Sequence, residues 1–291
     1  MARNRQKSAG ANKADSDRRK LLQLLGGCGA AGVFSAAAST ELESDAGLHN
    51  SLLWAVAWKQ CAAEYFALCH QAYNLARMRL DVALGRHRNG DKPLAVITDM
   101  DDTIMHARSY WGYLVKQNIE FFDDSVWDEW LPQNEITAAP GAVSFFNDCK
   151  RKRVEVFYVT NRDQGENTFA YALQQLEHLG MPFADADHLY VFRDTSDKSP
   201  ARLEIEQSFE IAVMLGDNLN DYRRDYYVAD IDKRMALMER DREHWGTRFI
   251  LLPNPTDGHW VRAIFGDSEP APSDENRRKL KEAASRVAWD G

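Results

Sequence analysis

The sequence of 291 residues has few cysteines and no long apolar run. Four cysteines are too few for a disulfide scaffold, so the fold depends on an apolar core. Because no run of about 20 strongly apolar residues occurs, the chain is not a polytopic membrane protein. It also has no cationic surplus, since 36 lysines and arginines stand against 44 acidic residues. This balance argues against a nucleic acid as the main partner.

The remaining composition is that of a globular protein. Hydrophobic residues make up 44% of the chain and aromatic residues 11%, and these values exclude wholesale disorder. The length is sufficient for one large α/β domain or for two small ones.

Residues 1–38 have the order of segments that is typical of an export signal. The first 20 residues carry seven cations and two anions, and the next 20 carry no charge. A basic, an uncharged and a small-residue stretch in this order form a signal peptide, and Arg18-Arg19 resembles its twin-arginine type. We therefore predict export to the periplasm or outer membrane surface of a bacterium. The alternative is a disordered basic tail before a hydrophobic helix.

Two processing sites compete within this segment. The run AAA at 36–38 offers cleavage before Ser39, whereas LGGC at 25–28 resembles a lipobox. The second route would make Cys28 a lipid anchor. The apolar stretch before Cys28 is only seven residues long, so the sequence leaves both routes open.

Residues 39–92 are predicted to form an N-terminal helical segment, with one helix over 49–84. Apolar residues recur there at spacings of three and four, which predicts one buried stripe. The stripe consists of Trp54, Trp58, Cys61, Tyr65, Leu68, Ala72, Leu75, Met78 and Val82. Cys61 and Cys69 lie too far apart along such a helix to pair, so both are predicted to be small buried residues, as is Cys149.

Five short apolar runs follow and predict the central sheet. They lie at 94–98, 154–159, 188–192, 211–215 and 249–252. Continuous apolar runs of this length are typical of strands that are buried on both faces. Helical patterns separate them at 141–151, 165–179 and 199–207. The alternation predicts an α/β fold, a Rossmann-like parallel sheet over 93–266 with helices on both faces.

Two segments depart from this alternation. The stretch 104–139 is rich in aromatic and acidic residues and is too long for a plain connection. We predict that it forms a small helical cap over one end of the sheet, packed against the 49–84 helix. Residues 267–291 are a polar C-terminal tail, in which 275–287 has the pattern of a solvated helix.

Acidic residues follow the first apolar run. Asp99 and Asp101 come directly after it, and ligands of open parallel sheets bind beyond the carboxyl ends of the strands. Acids this close together repel one another unless a cation offsets their charge, and their hard oxygen atoms suit Mg²⁺. Taken alone, the pattern also fits an acid-rich helix start.

The other apolar runs end in polar residues as well. Thr160 and Asn161 follow the second run, where a hydroxyl and backbone amides can hold an anionic oxygen. Lys198 offers a cation to a phosphate, and Asp217 and Asp221 follow the fourth run one helical turn apart. Each residue alone fits an ordinary cap or surface position. Their succession at four strand ends indicates a site.

On these motifs the chain resembles the haloacid dehalogenase superfamily, and within it the bacterial class C acid phosphatases. The stretches ITDMDDTIMHARSY (97–110) and VMLGDNLNDY (213–222) are similar to the two signatures of that family. Further similarity lies in residues 58–76, 131–146, 154–162 and 251–260. The resemblance covers about residues 50–265 and implies a haloacid dehalogenase-like core.

The resemblance also implies roles for individual residues. It implies catalytic roles for Asp99, Asp101, Thr160 and Lys198, and substrate binding by Thr160, Asn161 and Lys198. It implies a Mg²⁺ site built from Asp99, the Asp101 backbone carbonyl, Asp217 and, in support, Asp221. Asp99 would form an aspartyl-phosphate, while Asp101 would protonate the leaving alcohol and then activate water. The implied protein is an exported Mg²⁺-dependent acid phosphatase that hydrolyses small organic phosphomonoesters.

The sequence departs from the family pattern at several positions. Asp102 replaces a Glu, Ala107 an Asn or Thr, and Tyr222 a Phe, which are mild changes. Asp257 stands where the family has a Tyr that can stack on a nucleobase. A carboxylate cannot stack and repels an anionic substrate, which argues against a preference for nucleotides. His106 is predicted to lie on the surface of the cap.

Two other functions stay open at this point. Transfer of the phosphoryl group to an alcohol instead of water would make the protein a phosphotransferase. The other is a non-catalytic surface or storage protein on the same fold, although such a protein is expected to lose Asp99. The histidines form no pair at metal-ligand spacing, which argues against zinc, and the R-H-G-x-R-x-P stretch of a histidine-nucleophile phosphatase does not occur.

Overall fold

The structure is a computed structural model that describes residues 50–289. The predicted export signal at 1–38, with Cys28, lies outside the described residues. Among the helices of residues 50–289, none combines the length and the apolar character needed to cross a membrane.

The described chain alternates strands and helices. The strands are β1 (Leu94–Thr98), β2 (Met105–His106), β3 (Thr137–Ala138), β4 (Glu155–Asn161), β5 (Leu189–Phe192), β6 (Glu210–Gly216) and β7 (Phe249–Leu251). The helices are α1 (Leu53–Cys61), α2 (Ala63–Arg86), α3 (Arg108–Lys116), α4 (Asp124–Trp130), α5 (Ala142–Arg151), α6 (Thr168–His178), α7 (Ser199–Ser208), α8 (Ile231–Arg240), α9 (His259–Phe265) and α10 (Asp274–Ala284).

Five strands form one parallel sheet in the order β5-β4-β1-β6-β7. Alternate residues of the central strand β1 face opposite layers. Val96 packs with α2, α5 and α6, whereas Ile97 packs with α7 and Tyr222. Both faces of the sheet are therefore covered, which explains the continuous apolar runs and confirms the predicted fold class. Because every strand points the same way, all their carboxyl ends meet at one edge.

The single helix predicted over 49–84 is wrong. The backbone is extended at Ala62, and this break separates α1 from α2. The break also resets which side of α2 faces the sheet, so Tyr65, Cys69 and Tyr73 are buried there. The predicted stripe fails outside the core, since Trp54 is 91% exposed and Leu68, Met78 and Val82 are also exposed. Cys61 is exposed too, contrary to prediction, whereas Cys69 and Cys149 are buried.

The insertion after β1 builds a helical layer beside the sheet. The layer begins with β2 and ends with β3, which pair with each other, and α3 and α4 lie between these two strands in the sequence. Tyr110, Trp111 and Trp127 pack against Val56 of α1 and Leu52 just before it, so the predicted contact between cap and N-terminal segment is confirmed. Near the C-terminus, α10 has no buried side chain, as expected for a solvated helix.

Candidate active site

A cavity of about 700 Å³ lies at the carboxyl edge of the sheet. Its walls come from the ends of β1, β4 and β6, the loops after β5 and β7, and the cap. All seven predicted site residues line it: Asp99, Asp101, Thr160, Asn161, Lys198, Asp217 and Asp221. The structure therefore brings together residues that are up to 122 positions apart in the sequence.

The turn after β1 aims two carboxylates into this cavity. The Asp99 amide continues the sheet by donating to the Leu215 carbonyl at 3.0 Å. Met100 points away and is fully buried. The Met100 carbonyl then accepts from the amides of residues 103–105, and Asp102 adopts a left-handed φ of 51°. Asp99 and Asp101, on either side of the buried Met100, therefore both line the cavity.

Lys198 supplies the positive charge beside Asp99. Its ammonium donates to the Asp99 carboxylate and to Asp221 Oδ1, the latter at 2.7 Å. All three side chains are largely buried, so water screens this ion pair weakly. Asp221 in turn accepts from the Asn218 amide at 2.9 Å, which fixes its carboxylate at the end of β6.

Three carboxylates gather at this point and form a candidate metal centre. Asp99, Asp217 and Asp221 each offer one oxygen, and these oxygens lie within 4.8 Å of one another. Burial raises the pKa of Asp217 well above its ordinary value, and the charges of Asp221 and Asp99 raise it further. Burial raises the pKa of Asp99 to about 7 against the opposing Lys198 ammonium. One lysine thus fails to neutralise the cluster, and a hard divalent cation fits this donor set.

Arg162 holds the second carboxylate of the β1 turn, a contact that the sequence did not reveal. Its Nε and Nη2 atoms donate to the two oxygens of Asp101 at 2.6 and 2.7 Å. Nη1 donates to Gln175 Oε1 at 2.6 Å, so α6 orients the buried guanidinium. The Thr160 hydroxyl also lies 3.4 Å from Asp101 Oδ2. The position of Arg162 directly after Thr160-Asn161 was the signal available.

A second polar network, also missed, lies behind the β1 turn. The Lys59 ammonium of α1 donates to Asp102 Oδ2 at 2.8 Å and to the Thr256 hydroxyl at 2.9 Å. Asn254 Nδ2 donates to Asp217 at 2.7 Å and to Asp257 at 2.6 Å. The loop after β7 is thereby tied to the candidate metal centre. A lysine within the apolar pattern of α1 was the one hint that a buried ion pair exists.

Asp257 lines the cavity, so the departure from the family pattern falls within the site. Burial raises its pKa to about 6, and the Asp102 charge adds to this shift while Lys59 opposes it. Asp257 thus adds an acidic group to the wall, next to the Asp102–Lys59 pair.

The prediction for His106 is wrong. Its side chain is buried rather than on the cap surface, and its Nε2 lies 3.1 Å from the Tyr65 hydroxyl. Burial lowers the pKa of His106 to about 4. Because the β2–β3 hairpin lies against α2, His106 is a neutral core residue and not a cavity residue.

Residues 38–260 match the family described as HAD superfamily, subfamily IIIB (Acid phosphatase). Among solved structures, the class C acid phosphatase from Bacillus anthracis is similar to this chain, with a TM-score of 0.74 and 26% sequence identity. The same enzyme with tungstate bound gives a TM-score of 0.74 and 27% identity. Each match covers 84% of this chain and 100% of the relative.

The family match spans most of the chain and contains every strand end that contributes to the cavity. The structural matches extend over the whole of the relatives, so sheet, helices and cap are compared together. The chain therefore belongs to HAD subfamily IIIB, the acid phosphatases, and is a phosphomonoester hydrolase.

Proposed function

We propose that this phosphatase is an exported, Mg²⁺-dependent enzyme that hydrolyses small organic phosphomonoesters through an aspartyl-phosphate at Asp99. One observation carries the proposal: the carboxylates of Asp99, Asp217 and Asp221 converge within 4.8 Å beside the Lys198 ammonium. A cluster of this kind costs stability without a cation, and its geometry suits an enzyme that holds a phosphate between a nucleophile and positive charges.

In the first step, an Asp99 oxygen attacks phosphorus and the bond from phosphorus to the alcohol oxygen breaks. Asp101 gives its proton to that oxygen as the alcohol leaves. In the second step, water attacks the phosphorus of the aspartyl-phosphate while Asp101 accepts a proton from it. Phosphate leaves and the Asp99 carboxylate is restored. The bidentate contact from Arg162 orients the Asp101 carboxylate, which is the form that accepts a proton in the second step.

The phosphoryl oxygens need donors and positive charge. Lys198 supplies an ammonium beside Asp99, and Thr160, with the backbone at Asn161, supplies donors at the end of β4. A Mg²⁺ ion held by Asp99, Asp217 and Asp221 would add charge that offsets the phosphoryl oxygens. The Bacillus anthracis relative was solved with tungstate, a tetrahedral oxyanion, which supports an oxyanion site in this fold.

Phosphate release by the purified protein tests this function. The assay compares excess Mg²⁺ with EDTA from pH 4 to pH 8, on p-nitrophenyl phosphate, nucleoside monophosphates and sugar phosphates. We expect release that depends on Mg²⁺ and is restored by adding it back after chelation. Release that EDTA leaves unchanged would contradict the metal site. An added alcohol acceptor distinguishes hydrolysis from phosphotransfer, because transfer yields a new phosphomonoester instead of phosphate.

Export rests on the tripartite segment at 1–38 and on Arg18-Arg19. Fusing residues 1–40 to a reporter protein and fractionating bacterial cells tests it. We expect the reporter in the periplasm or membrane fraction, and loss of export when Arg18-Arg19 becomes Lys-Lys. Metabolic labelling with a fatty acid, compared with Cys28→Ala, decides whether Cys28 is an anchor.

A further inference from the structure

The cavity is far more acidic than phosphate binding requires. Twelve acidic side chains line it, against four from lysine and arginine. Three of those cations already have partners in ion pairs, Arg162 with Asp101, Arg193 with Asp163, and Lys198 with Asp99 and Asp221. The fourth, Arg262, lies on the ring of Tyr227 at 4.5 Å. A divalent cation would offset the acids at the phosphoryl end only, so the rest of the cleft stays negative.

Two of these acids lie beside aromatic rings on the cap side. Asp102 and Asp257 line the wall there, together with Trp111, Phe122 and Trp127. Asp102 is 6% exposed, and its Oδ1 atom has no hydrogen-bond partner among residues 50–289. A buried carboxylate oxygen without a donor is costly, so positive charge bound nearby in the cavity would be favourable.

This wall already accommodates one ammonium group. Lys59 Nζ lies 5.2 Å from the centre of the Trp111 ring and 2.8 Å from Asp102 Oδ2. Rings with carboxylates at their edge attract cations through both the ring quadrupole and the charge. Asp257, by contrast, forms no ion pair with another described residue, and its contacts are Asn254 and the Thr256 hydroxyl.

The position of Asp257 relative to the phosphoryl site sets the size of the ligand. Asn254 Nδ2 donates to both Asp217 and Asp257, so one amide nitrogen separates the candidate metal centre from this carboxylate. A positive group bound at Asp257 must therefore be joined to the phosphate by a short spacer.

We propose that the preferred leaving group carries a cation, so that the substrates are phosphomonoesters of short amino alcohols. This inference rests on the proposed function. The phosphate binds at Lys198 and Thr160, and the ammonium group binds at Asp257 against the aromatic wall. A second anionic group on the substrate is repelled by the same carboxylates.

A pair of isosteric substrates tests the inference at pH 7. Phosphocholine and 3,3-dimethylbutyl phosphate have the same shape, and only the first carries a positive charge on its alcohol part. We expect kcat/KM for phosphocholine to exceed that of the neutral ester by roughly tenfold. Asp257→Asn should bring the ratio close to one, and Asp257→Glu should restore part of it. The control Asp187→Asn removes an exposed charge outside the cavity and should keep the wild-type ratio.

The ratio within each variant cancels any general loss of activity. Equal hydrolysis of the two esters by the wild type, or a ratio that Asp257→Asn leaves unchanged, would overturn the inference while the phosphatase function stands. Preference for an ester whose alcohol part carries an additional carboxylate, such as phosphoglycerate, would overturn it as well and would assign Arg262 to the leaving group. If p-nitrophenyl phosphate is not hydrolysed either, the proposed function itself fails.

Discussion

The Asp101–Arg162 contact is the one place where a reacting group of the proposed mechanism is held by a buried fork of two hydrogen bonds. The guanidinium makes two parallel bonds to the carboxylate and is itself fixed by Gln175. Such geometry gives direction as well as charge, and a lysine cannot reproduce it. Arg162 is therefore a positioning residue for Asp101.

For Arg162→Lys we expect kcat on p-nitrophenyl phosphate to fall by roughly tenfold to a hundredfold while KM changes little. Lysine keeps the positive charge, so a fall in kcat would show that the orientation of the Asp101 carboxylate matters in addition to the charge beside it. The exposed Arg193→Lys is the matched control, since Arg193 pairs with Asp163 near the cavity rim. A variant with unchanged kcat would show that Asp101 needs no support from Arg162.

The metal centre should respond to pH because protons and cations compete for the same oxygens. The pKa of Asp99 is raised to about 7, and that of Asp217 is also raised above its ordinary value. Below pH 7 the Asp99 carboxyl holds a proton that a divalent cation must displace. We expect Mg²⁺ to bind roughly tenfold more weakly for each unit of pH below 7, with proton release on binding. Calorimetry in two buffers of different ionisation enthalpy measures both, and an affinity independent of pH would contradict it.

The residues of the site differ in how far the sequence could reveal them. Asp99 and Thr160 follow apolar runs directly, and Asp217 and Lys198 come two and six positions after theirs. That placement predicts a shared edge in a parallel sheet. Lys59 lies within a helical pattern, and Asn254 comes two positions after the last apolar run. Neither position indicates the contact that the residue makes, because the partners come from other parts of the chain. A buried ion pair is defined by the fold and not by neighbouring residues in sequence.

At the scale of elements, β6 and the turn after it must approach each other closely. A Cβ atom at Gly216 would collide with the Asp221 carboxylate. Asp221, which accepts a hydrogen bond from Lys198, can therefore occupy this position only because residue 216 is a glycine. We expect Gly216→Ala to lower kcat/KM by roughly a hundredfold and stability by about 1–3 kcal/mol.

Activity and chemical denaturation measure these two effects separately. Gly112→Ala is the control for adding a methyl group, because Gly112 has space for it and does not have a positive φ. Gly165→Ala is unsuitable because the φ of Gly165 is positive. Gly216→Ala with normal activity would mean that Asp221 tolerates displacement and plays no part in the site.

The junction between the cap and the segment after α9 depends on a carboxyl pair. Burial and a hydrogen bond with Asp124 raise the pKa of Glu269 from its ordinary 4.5 to about 7. The folded protein thus holds this proton more tightly than the unfolded chain. The stabilisation from the contact is therefore present below pH 4.5 and is lost as pH rises through 7.

Glu269→Gln keeps a hydrogen-bond donor at this position without the charge. We expect equal stability of both proteins near pH 4.5 and a more stable variant at pH 8, by less than about 1 kcal/mol because Glu269 is exposed.

Thermal unfolding from pH 4 to pH 8 measures this difference, with Glu243→Gln as the control. A difference in stability between Glu269→Gln and the wild type that stays constant from pH 4 to pH 8 would show that Glu269 and Asp124 do not share a proton in the folded protein.

Elements were predictable where their pattern is local. The five strands of the sheet are confirmed because a strand buried on both faces has a continuous apolar run. The helix over 49–84 was wrong because the spacing pattern contains no sign of the extended residue at Ala62. His106 was misplaced because its burial depends on the hairpin lying against α2, which is a tertiary contact.

At the scale of the whole molecule, the fold places the Lys198 ammonium among carboxylates at one end of an acidic cleft. Lys198, Thr160 and the candidate metal centre lie at the phosphoryl end, and Asp257 with the cap aromatics lies beside it. A parallel sheet places all of these residues at one edge while helices on both faces hold the strands rigid. Cap residues Trp111, Phe122 and Trp127 complete the wall of the same cavity.

The most direct test of this account is to trap the phosphorylated enzyme. The purified protein is mixed with p-nitrophenyl phosphate and Mg²⁺, quenched in acid within milliseconds and reduced with borohydride, which converts an acyl phosphate to homoserine. Mass spectrometry of the peptide around residue 99 then locates the modification. The account predicts homoserine at position 99 in the wild type, and neither modification nor turnover in Asp99→Asn. An unmodified Asp99 during active turnover, or an active Asp99→Asn enzyme, would contradict it.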